Sequence, residues 1–409
     1  MKIAIDVRDA DGEKTGKGFF TYGLVEQILA QDRQNQYLLY SDKEKSPFPQ
    51  YANVEFRYLP ELGLKWHLAV LKDLKSSRPD IYVAPTSFIV PSLAPRWLKV
   101  LPVVHDVVAF LFPKSHSKKA VFVERLTMRR ALRKASKVFV VSENTQNDLI
   151  KLFNYPKSSI IEISCAPHDV YSKEIHPADT AKVIKKYQLP EKFILGVGTL
   201  EPRKNFSTLI KSFVIVKRKF PDYKLVIVGK KGWKWETLGR EVRKYKLEND
   251  VIFTGLMKES YVKDEDLHHI YHAAEVFVFP SLYEGFGIPP LEAMASGCPV
   301  IASNTASLPE VIGDAGLLID PRNSLKIADA IIGLIENPQL RNTLLEKGFH
   351  RSRKFTWQES AQTVLQTISE YENFSTHKPA PEIPAEEPAP IPTKPSKSVK
   401  PTKTKKAKS

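Results

Sequence analysis

Short apolar runs alternate with longer amphipathic stretches along most of this chain. The runs predict strands, and the stretches between them, with apolar residues at helical spacing, predict helices. The predicted strands are Lys2–Val7, Tyr37–Tyr40, Val54–Tyr58, Ile81–Ala84, Val100–Val104, Val138–Val141, Phe193–Val197, Lys224–Val228, Val251–Thr254, Val276–Phe279, Val300–Ala302 and Leu317–Ile319. Strands separated by helices are typical of parallel sheets covered on both faces. We therefore predict an α/β protein with two doubly wound domains that join near residues 165–175.

The C-terminal end of the chain departs from this pattern. The 409 residues carry a formal net charge of +15, and 42% of them are hydrophobic, as in a globular protein. From Lys378 onward, eight lysines and eight prolines accompany only Ile383, Ile391 and Val399 as large apolar residues. Such a segment cannot bury enough apolar surface to offset the entropy cost of ordering it. We predict that residues 376–409 form a disordered, solvated tail, with a tether for an anionic partner as the second interpretation.

Cysteine content and hydropathy exclude several classes of protein. Two cysteines, Cys165 and Cys298, cannot form a disulfide framework or a four-cysteine zinc site. The N-terminus has no apolar core long enough for a signal peptide. The longest apolar stretch, from Val100 to Phe112, contains polar residues and is shorter than the ~20 residues that a membrane span needs. These features predict a cytoplasmic protein, either soluble or peripheral at the inner face of the membrane.

The segment after the strand Phe193–Val197 carries groups that suit phosphate. It contains Gly198, Arg203 and Lys204, and a helix is predicted to begin after Asn205 as its N-cap. The glycine permits close backbone approach, the helix N-terminus is partially positive, and the two cations match phosphate oxygens. The alternative is a solvated basic turn. A dinucleotide fingerprint is not expected, because the third glycine of G-x-G-x-x-G is missing.

A second glycine-containing loop follows the strand Val276–Phe279. Glu284 lies in this loop, and Pro289 or Pro290 opens a helix that places Glu292 in its first turn. Loop N–H groups can bind hydroxyls or phosphates, and two carboxylates can accept hydrogen bonds from sugar hydroxyls. The alternative is that Glu292 only complements the helix dipole, which contributes about 0.3–1 kcal/mol.

These motifs resemble those of the retaining glycosyltransferases of family 4, which have the GT-B fold. The E-x₇-E motif from Glu284 to Glu292 lies downstream of Gly-x-Gly and Arg-Lys. Further similar segments are His105-Asp106, Val141-Ser142-Glu143-Asn144, Ala273-Ala274-Glu275, Ser303-Asn304, Leu308-Pro309-Glu310 and Ala315-Gly316-Leu317-Leu318. The resemblance covers about residues 1–373. It implies two Rossmann-like domains facing a central cleft: an acceptor domain, 1–167, closed by the C-terminal helix 357–373, and a nucleotide-sugar-binding domain, 168–356.

The resemblance also implies a set of site residues. Arg203 and Lys204 would bind the diphosphate, and Glu292 would hold the ribose. Glu284 and the following loop would contact the donor sugar, which His105 would reach from the N-terminal domain. The implied catalytic residues are His105, Arg203, Lys204 and Glu284. The implied donor-binding residues are Gly16, Gly18, Gly198, Arg203, Lys204, Glu284, Gly285, Phe286, Gly287, Ile288 and Glu292. Phe19 stands where an arginine is common in the family.

The implied reaction moves a hexose from a nucleotide-diphosphate sugar to a glycan or lipid-linked acceptor, with retention by same-face displacement. GDP-mannose is the favoured donor, because the overall resemblance is to mannosyltransferases. No cofactor is expected. Two other classes remain open: a nucleotide-sugar epimerase of the same fold, and a non-catalytic nucleotide-sugar-binding protein.

Two further clusters bear on metals. Asp264-Glu265-Asp266 is similar to a metal-binding D-x-D motif, but acidic residues also favour a helix N-terminus, and a helix is predicted over Leu267–Ala274. His268, His269 and His272 lie on that helix, and no cysteine or carboxylate completes a site. We therefore predict no metal, and we interpret the histidines as surface or core residues.

Lys114–Lys137 is the most basic part of the predicted globular region. It carries nine lysines and arginines against one acid, Glu124, with apolar residues interleaved. A basic amphipathic stretch of this kind can bind an anionic membrane surface. A solvated helix face is the alternative. Nucleic acid is not expected, because no aromatic platform or recognition motif accompanies the charge.

Overall fold

Two parallel sheets organise the computed structural model, which describes residues 1–10, 16–113, 118–256 and 262–373. The predicted tail 376–409 and the first residues of the basic stretch, 114–117, lie outside this range. No helix in the described part of the chain is both long and apolar enough to cross a membrane.

The first sheet has seven strands in the order β3-β2-β1-β4-β5-β6-β7. Its strands are β1 Lys2–Asp6, β2 Gln36–Ser41, β3 Val54–Tyr58, β4 Ile81–Ala84, β5 Lys99–Val104, β6 Val138–Val140 and β7 Ile160–Glu162. Its helices are α1 Gly16–Gln31, α2 Leu64–Ser77, α3 Ile89–Leu93, α4 Val108–Leu111, α5 Lys118–Lys134 and α6 Glu143–Phe153. Alternate residues of β1 enter different cores: Ile3 packs with Phe20 of α1, and Ala4 packs with Trp66 of α2. Both faces of the sheet are therefore covered.

The second sheet has six strands in the order β10-β9-β8-β11-β12-β13. Its strands are β8 Phe193–Val197, β9 Lys224–Val228, β10 Val251–Thr254, β11 Val276–Phe279, β12 Val300–Ser303 and β13 Leu317–Ile319. Its helices are α7 Pro177–Lys186, α8 Phe206–Lys219, α9 Glu236–Lys244, α10 Asp264–Ala273, α11 Ile288–Ala295, α12 Leu308–Ile312, α13 Ser324–Glu336 and α14 Pro338–Ser352. Every recorded pairing in both sheets is parallel. The two parallel sheets confirm the prediction of two doubly wound α/β units.

The last helix, α15 (Trp357–Asn373), returns to the first unit and packs against α1. The Trp357 ring lies edge-on to Phe20, with 5.5 Å between the ring centroids, and it covers Gly23, where a Cβ would lie 2.6 Å from the indole. Ser360 Oγ donates to the carbonyl of Ser164 (2.7 Å). We call the first sheet with α1–α6 and α15 the N-terminal unit, and the second sheet with α7–α14 the C-terminal unit.

Strand order reverses beside β1 in the first sheet, where β2 lies on one side and β4 on the other. It reverses in the same way in the second sheet beside β8, which lies between β9 and β11. Ligands of doubly wound sheets bind in the crevice at such points, beyond the carboxyl ends of the strands. The topology therefore predicts a ligand site at the loops after β8 and β11, facing the N-terminal unit.

Candidate functional site

Four charged side chains from the loops after β8 and β11 form one cluster. Arg203 donates from Nη1 to Glu284 Oε2 (2.8 Å) and from Nη2 to Glu201 Oε1 (2.6 Å). Lys204 Nζ donates to Glu284 Oε1 (2.7 Å). All four side chains are nearly buried. The structure thus brings the predicted residues Arg203, Lys204 and Glu284 together, and it adds Glu201, which the sequence analysis missed as a site residue.

Burial and charge pairing act in opposite directions on this cluster. Burial alone would raise the pKa of Glu284, but the charges of Arg203 and Lys204 lower it to about 2. Burial would lower the pKa of Arg203, whereas Glu284 and Glu201 raise it. Both groups are therefore ionised at neutral pH. The two carboxylates balance the two cations. Since Glu284 accepts hydrogen bonds from both Arg203 and Lys204, a bound diphosphate would compete with Glu284 for these N–H donors.

Asn205 holds the two loops together in a way that the sequence analysis did not predict. It occupies the N-cap position of α8, but its backbone is left-handed (φ 58°) and its side chain accepts no capping hydrogen bond. Instead, Asn205 Nδ2 donates to the carbonyls of Pro280 (3.0 Å) and Pro321 (2.7 Å). The predicted N-cap position is confirmed, but the side chain does not cap the helix and instead fixes the β8 loop against the residues that follow β11 and β13.

A cavity of about 210 Å³ lies beyond the carboxyl ends of β8, β9 and β10. It is lined in part by Gly16, Gly198, Gly229, Lys230, Ile288 and Glu292. Four of the predicted donor-binding residues (Gly16, Gly198, Ile288 and Glu292) therefore share one cavity. Gly16 comes from the N-terminal unit, so the cavity has walls from both units.

Gly198 connects the cavity with the charged cluster. Its φ of +145° is a conformation that side chains rarely adopt, and a Cβ there would lie 3.4 Å from Cε of Lys204. The carbonyl of Gly198 also lies 2.0 Å from the position that a Cβ on Gly229 would occupy. Two glycines thus allow the β8 and β9 loops to meet at the cavity floor, with the Lys204 side chain directly behind them.

The other predicted site residues lie beside the cavity, outside its recorded wall. Gly18 is buried within α1. Arg203, Lys204 and Glu284 form the cluster just described, and Gly285, Phe286 and Gly287 continue from it to the start of α11.

Glu292 is the fifth residue of α11, because the helix begins at Ile288. The predicted place in the first turn is therefore wrong, and complementing the helix N-terminus does not account for this carboxylate. Tyr271 OH donates to Glu292 Oε2 (3.1 Å). Burial, with a smaller contribution from the nearby Asp264, raises the pKa of Glu292 to about 8. Burial of the Glu292 carboxyl therefore favours its protonated form, which raises its pKa.

The E-x₇-E loop is docked against the N-terminal unit. Ser142, at the N-cap of α6, donates from Oγ to the carbonyl of Gly285 (2.6 Å). Tyr283 OH donates to Asp148 Oδ2 (2.7 Å). Glu310 of the C-terminal unit accepts hydrogen bonds from the first backbone N–H groups of α6, at 2.9 and 3.0 Å. The motifs around Ser142 and Glu310 therefore hold the two units together beside the site.

His105 lies on the N-terminal side of this contact. Its Nε2–H donates to the carbonyl of Pro85 (2.7 Å), and its ring lies edge-on to Phe20 (4.5 Å between centroids). Burial, followed by the charge of Lys17, lowers the pKa of His105 to about 4. The imidazole is therefore neutral at physiological pH, with the proton on Nε2 and the lone pair on Nδ1.

Three kinds of cavity residue were missed by the sequence analysis. Gly229 and Lys230 follow β9, which is the same strand-then-glycine signal that drew attention to Gly198. Asp264 lines the cavity and accepts a hydrogen bond from Tyr171 OH (2.9 Å). Asp266 instead binds Lys186 and Tyr187 outside the cavity, so the two ends of the D-x-D-like run have different partners. No sequence signal marked Tyr171.

Comparisons with known proteins support these assignments at the level of family and fold. Residues 179–351 match the model described as glycosyl transferases group 1, and residues 29–166 match glycosyltransferase family 4. The chain is 33% identical over 318 residues to the O-antigen chain mannosyltransferase B of Escherichia coli, covering 77% of this chain and 78% of that protein.

Two solved structures are similar in fold. The sucrose-phosphate synthase of Thermosynechococcus elongatus has a TM-score of 0.73 and 20% identity, covering 91% of this chain and 100% of that one. Anabaena HepE, in complex with UDP and glucose, has a TM-score of 0.70 and 21% identity, covering 90% and 99%.

Proposed function

The chain belongs to the group 1 glycosyltransferases and has the GT-B fold, and we propose that it is a retaining, metal-independent mannosyltransferase that uses GDP-mannose. The observation that carries this proposal is the Arg203–Lys204–Glu284 cluster beside a cavity walled by Glu292. The preference for mannose rests on the O-antigen mannosyltransferase relative.

In this proposal, the diphosphate of the donor takes the place of Glu284 on the two cations. Arg203 presents a planar fork and Lys204 a point charge, and both are held by the loops that meet at Gly198. Glu284, released from them, lies next to the sugar. Glu201 keeps Arg203 oriented, since its carboxylate binds Nη2 while Nη1 serves the site.

The part of the cavity wall that contains Asp264 and Glu292 suits a guanosine. Guanine presents N–H donors on its pairing edge, and a ribose presents two hydroxyls. Asp264 and Glu292, both on the cavity wall, offer carboxyl oxygens to such donors. Tyr171 and Tyr271 orient the two carboxyl groups by hydrogen bonds. Accordingly, we assign Glu292 to the ribose and Asp264 to the base.

The reaction that fits this site is a same-face displacement. Glu284 is an ion-paired carboxylate with a low pKa, which makes it a weak nucleophile. The protein instead stabilises the charge that grows on the leaving diphosphate, through preorganised donors in a nearly dry site. The acceptor hydroxyl then attacks from the face that the diphosphate leaves, and a diphosphate oxygen takes its proton.

The acceptor side includes a surface suited to a membrane. One stripe of α5 exposes Phe122 (67%) and Leu126 (42%) beside the exposed cations Arg130 and Arg133. Other cations of the basic stretch have structural partners: Lys137 pairs with Glu370, and Arg125 binds the carbonyl of Ala109. We assign the exposed stripe to contact with anionic lipid, where a lipid-linked glycan acceptor would be presented.

Product analysis tests the proposal. The protein is incubated with GDP-α-mannose labelled with ¹³C in the sugar, together with an oligomannose acceptor. We expect an α-linked product, identified by its anomeric one-bond C–H coupling. Free or epimerised sugar nucleotide would indicate an epimerase, GDP binding without turnover would indicate a binding protein, and a β-linked product would contradict retention.

A further inference from the structure

A second cavity, of about 250 Å³, lies in the C-terminal unit behind the donor cavity. His268 separates the two cavities: it lines the second cavity, and its ring lies edge-on to Tyr171, which lines the first, with 6.0 Å between centroids. The second cavity is similar in size to the donor cavity.

The wall of this cavity carries two cationic side chains. Lys173 and Arg353 contribute the charges, and both residues are exposed to solvent at its mouth. His272 binds the carbonyl of Ser296 through Nδ1 (3.2 Å), so its proton lies on Nδ1 when the ring is neutral. No aspartate or glutamate is among the described residues that line the cavity. Its chemistry therefore favours an anion over a cation.

The inner wall is a fixed polar network. His268 is 4% exposed; its Nε2–H donates to the carbonyl of Lys173 (3.1 Å), and its Nδ1 accepts from Ser296 Oγ (2.8 Å). This network ties the backbone at Lys173 to α10 and to the end of α11. The backbone of Lys173, one of the two cations at the mouth, is thus held in place by a buried histidine.

Both segments of chain that connect the two units border this cavity. Ser172, Lys173 and Ile175 belong to the connection that leads from β7 into the C-terminal unit. Ser352 and Arg353 end α14, just before α15 crosses back to the N-terminal unit. An anion held between Lys173 and Arg353 would therefore bridge the two crossings.

We infer that this cavity is a second anion-binding site, for a phosphate dianion carried either by free phosphate or by a small phosphorylated sugar. Arg353 supplies a planar fork and Lys173 a point charge, which together suit a phosphate group. The size of the cavity leaves room for a group attached to the phosphate. The site is separate from the Arg203–Lys204 cluster, so the inference does not depend on the proposed function.

The test monitors the two histidines directly. Protein labelled with ¹⁵N in histidine is titrated with inorganic phosphate at constant pH and ionic strength, once alone and once in the presence of GDP. His272→Gln assigns the resonance of His272. We expect saturable shifts of the His268 and His272 signals, and the Lys173→Ala/Arg353→Ala double variant should raise the apparent Kd about tenfold or more, because it removes two charge-assisted contacts.

The matched control is Lys211→Ala/Arg218→Ala, which removes the same two charges from exposed positions of α8. It should bind phosphate as the native protein does. Shifts that do not saturate, or that are equal in all three proteins, would overturn the inference. Circular dichroism of each variant verifies that the fold is intact.

A second titration, with a hexose 6-phosphate, identifies the source of the phosphate. Tighter binding than that of inorganic phosphate would support a phosphorylated sugar, and equal or weaker binding would support free phosphate. Shifts confined to His105 would place the anion in the cleft between the units and would contradict the second site.

Discussion

The carbonyl oxygen of His105 lies 1.8 Å from the position that a Cβ on Gly285 would occupy. Since His105 belongs to the N-terminal unit and Gly285 to the E-x₇-E loop, the two units touch at a point where only a glycine fits. The same loop carries Glu284, which holds Arg203 and Lys204. Contact between the units and the order of the charged site are therefore linked through this loop.

Gly285→Ala should disturb this contact. The added methyl group would clash with the backbone carbonyl of His105, which cannot rotate away, so either the E-x₇-E loop or the N-terminal unit must shift. We therefore expect the free energy of unfolding to fall by about 1–3 kcal/mol, together with a fall in activity. Urea denaturation measures the first quantity. Gly333→Ala in α13 is the control: nothing lies within 4 Å of its Cβ position, so the change should stabilise by about 0.5–1 kcal/mol. Native stability of Gly285→Ala would contradict the close approach.

Glu292 should make stability depend on pH. Its pKa in the folded protein, about 8, lies above the unfolded value of 4.5, so the folded state binds the extra proton between these limits. Its contribution is present below pH 4.5 and is lost as pH rises through 8. Glu292→Gln should remove this dependence of the free energy of unfolding on pH. Between pH 5 and 8, the stability of the variant relative to that of the native protein should rise by an amount on the order of a few kcal/mol.

Glu284→Gln serves as the control for that measurement. The pKa of Glu284 is lowered to about 2, so its contribution is complete above pH 4.5 and is lost only as pH falls toward 2. Urea unfolding of Glu284→Gln between pH 5 and 8 should therefore run parallel to the native curve. A parallel curve for Glu292→Gln as well would show that Glu292 is not buried as a protonated acid.

Donor turnover should persist in EDTA. In the proposed function, Arg203, Lys204 and the N-terminus of α8 balance the charge of the diphosphate, so no divalent cation is required. The rate of GDP release is measured before and after chelation, with the protein dialysed against EDTA. Complete loss of activity that Mg²⁺ or Mn²⁺ restores would contradict the assignment of charge.

The exposed stripe of α5 should bind anionic vesicles. Arg130→Glu/Arg133→Glu should weaken binding to phosphatidylglycerol vesicles by about 1 kcal/mol per residue or more, with a larger effect at low salt. Co-sedimentation measures this. Lys211→Glu/Arg218→Glu on α8 makes the same change in net charge elsewhere and should have a smaller effect. Equal binding by the two double variants would favour a solvated helix face.

Much of the fold follows from the sequence. Strands buried on both faces, such as Phe193–Val197 and Val276–Phe279, have the predicted bounds. A short, uninterrupted apolar run between turns is typical of a strand covered on both faces of a parallel sheet. Strand β7 was missed: it has three residues, lies at the edge of its sheet and includes the exposed Glu162. The domain limits stay a prediction.

The sequence does not predict how the candidate site residues are arranged. The sequence predicts phosphate for Arg203 and Lys204 and sugar for Glu284, but it does not predict that both cations pair with Glu284. That pairing depends on two loops about 80 residues apart meeting in space, which no local pattern encodes. Asn205 is similar: its capping role was predicted from residue type, but its left-handed backbone directs the side chain to two carbonyl groups instead.

The kinetics of Arg203→Ala and Lys204→Ala, compared with Glu292→Gln, test the central claim most directly. In the proposed function, the cations act on charge that grows as the glycosidic bond breaks, so their loss should lower kcat, by about 10²–10³ for each preorganised donor. Glu292 is proposed to bind the ribose, whose charge hardly changes, so Glu292→Gln should mainly raise the donor KM. Near-native kcat and KM in both cation variants, with their fold verified by circular dichroism, would contradict the account.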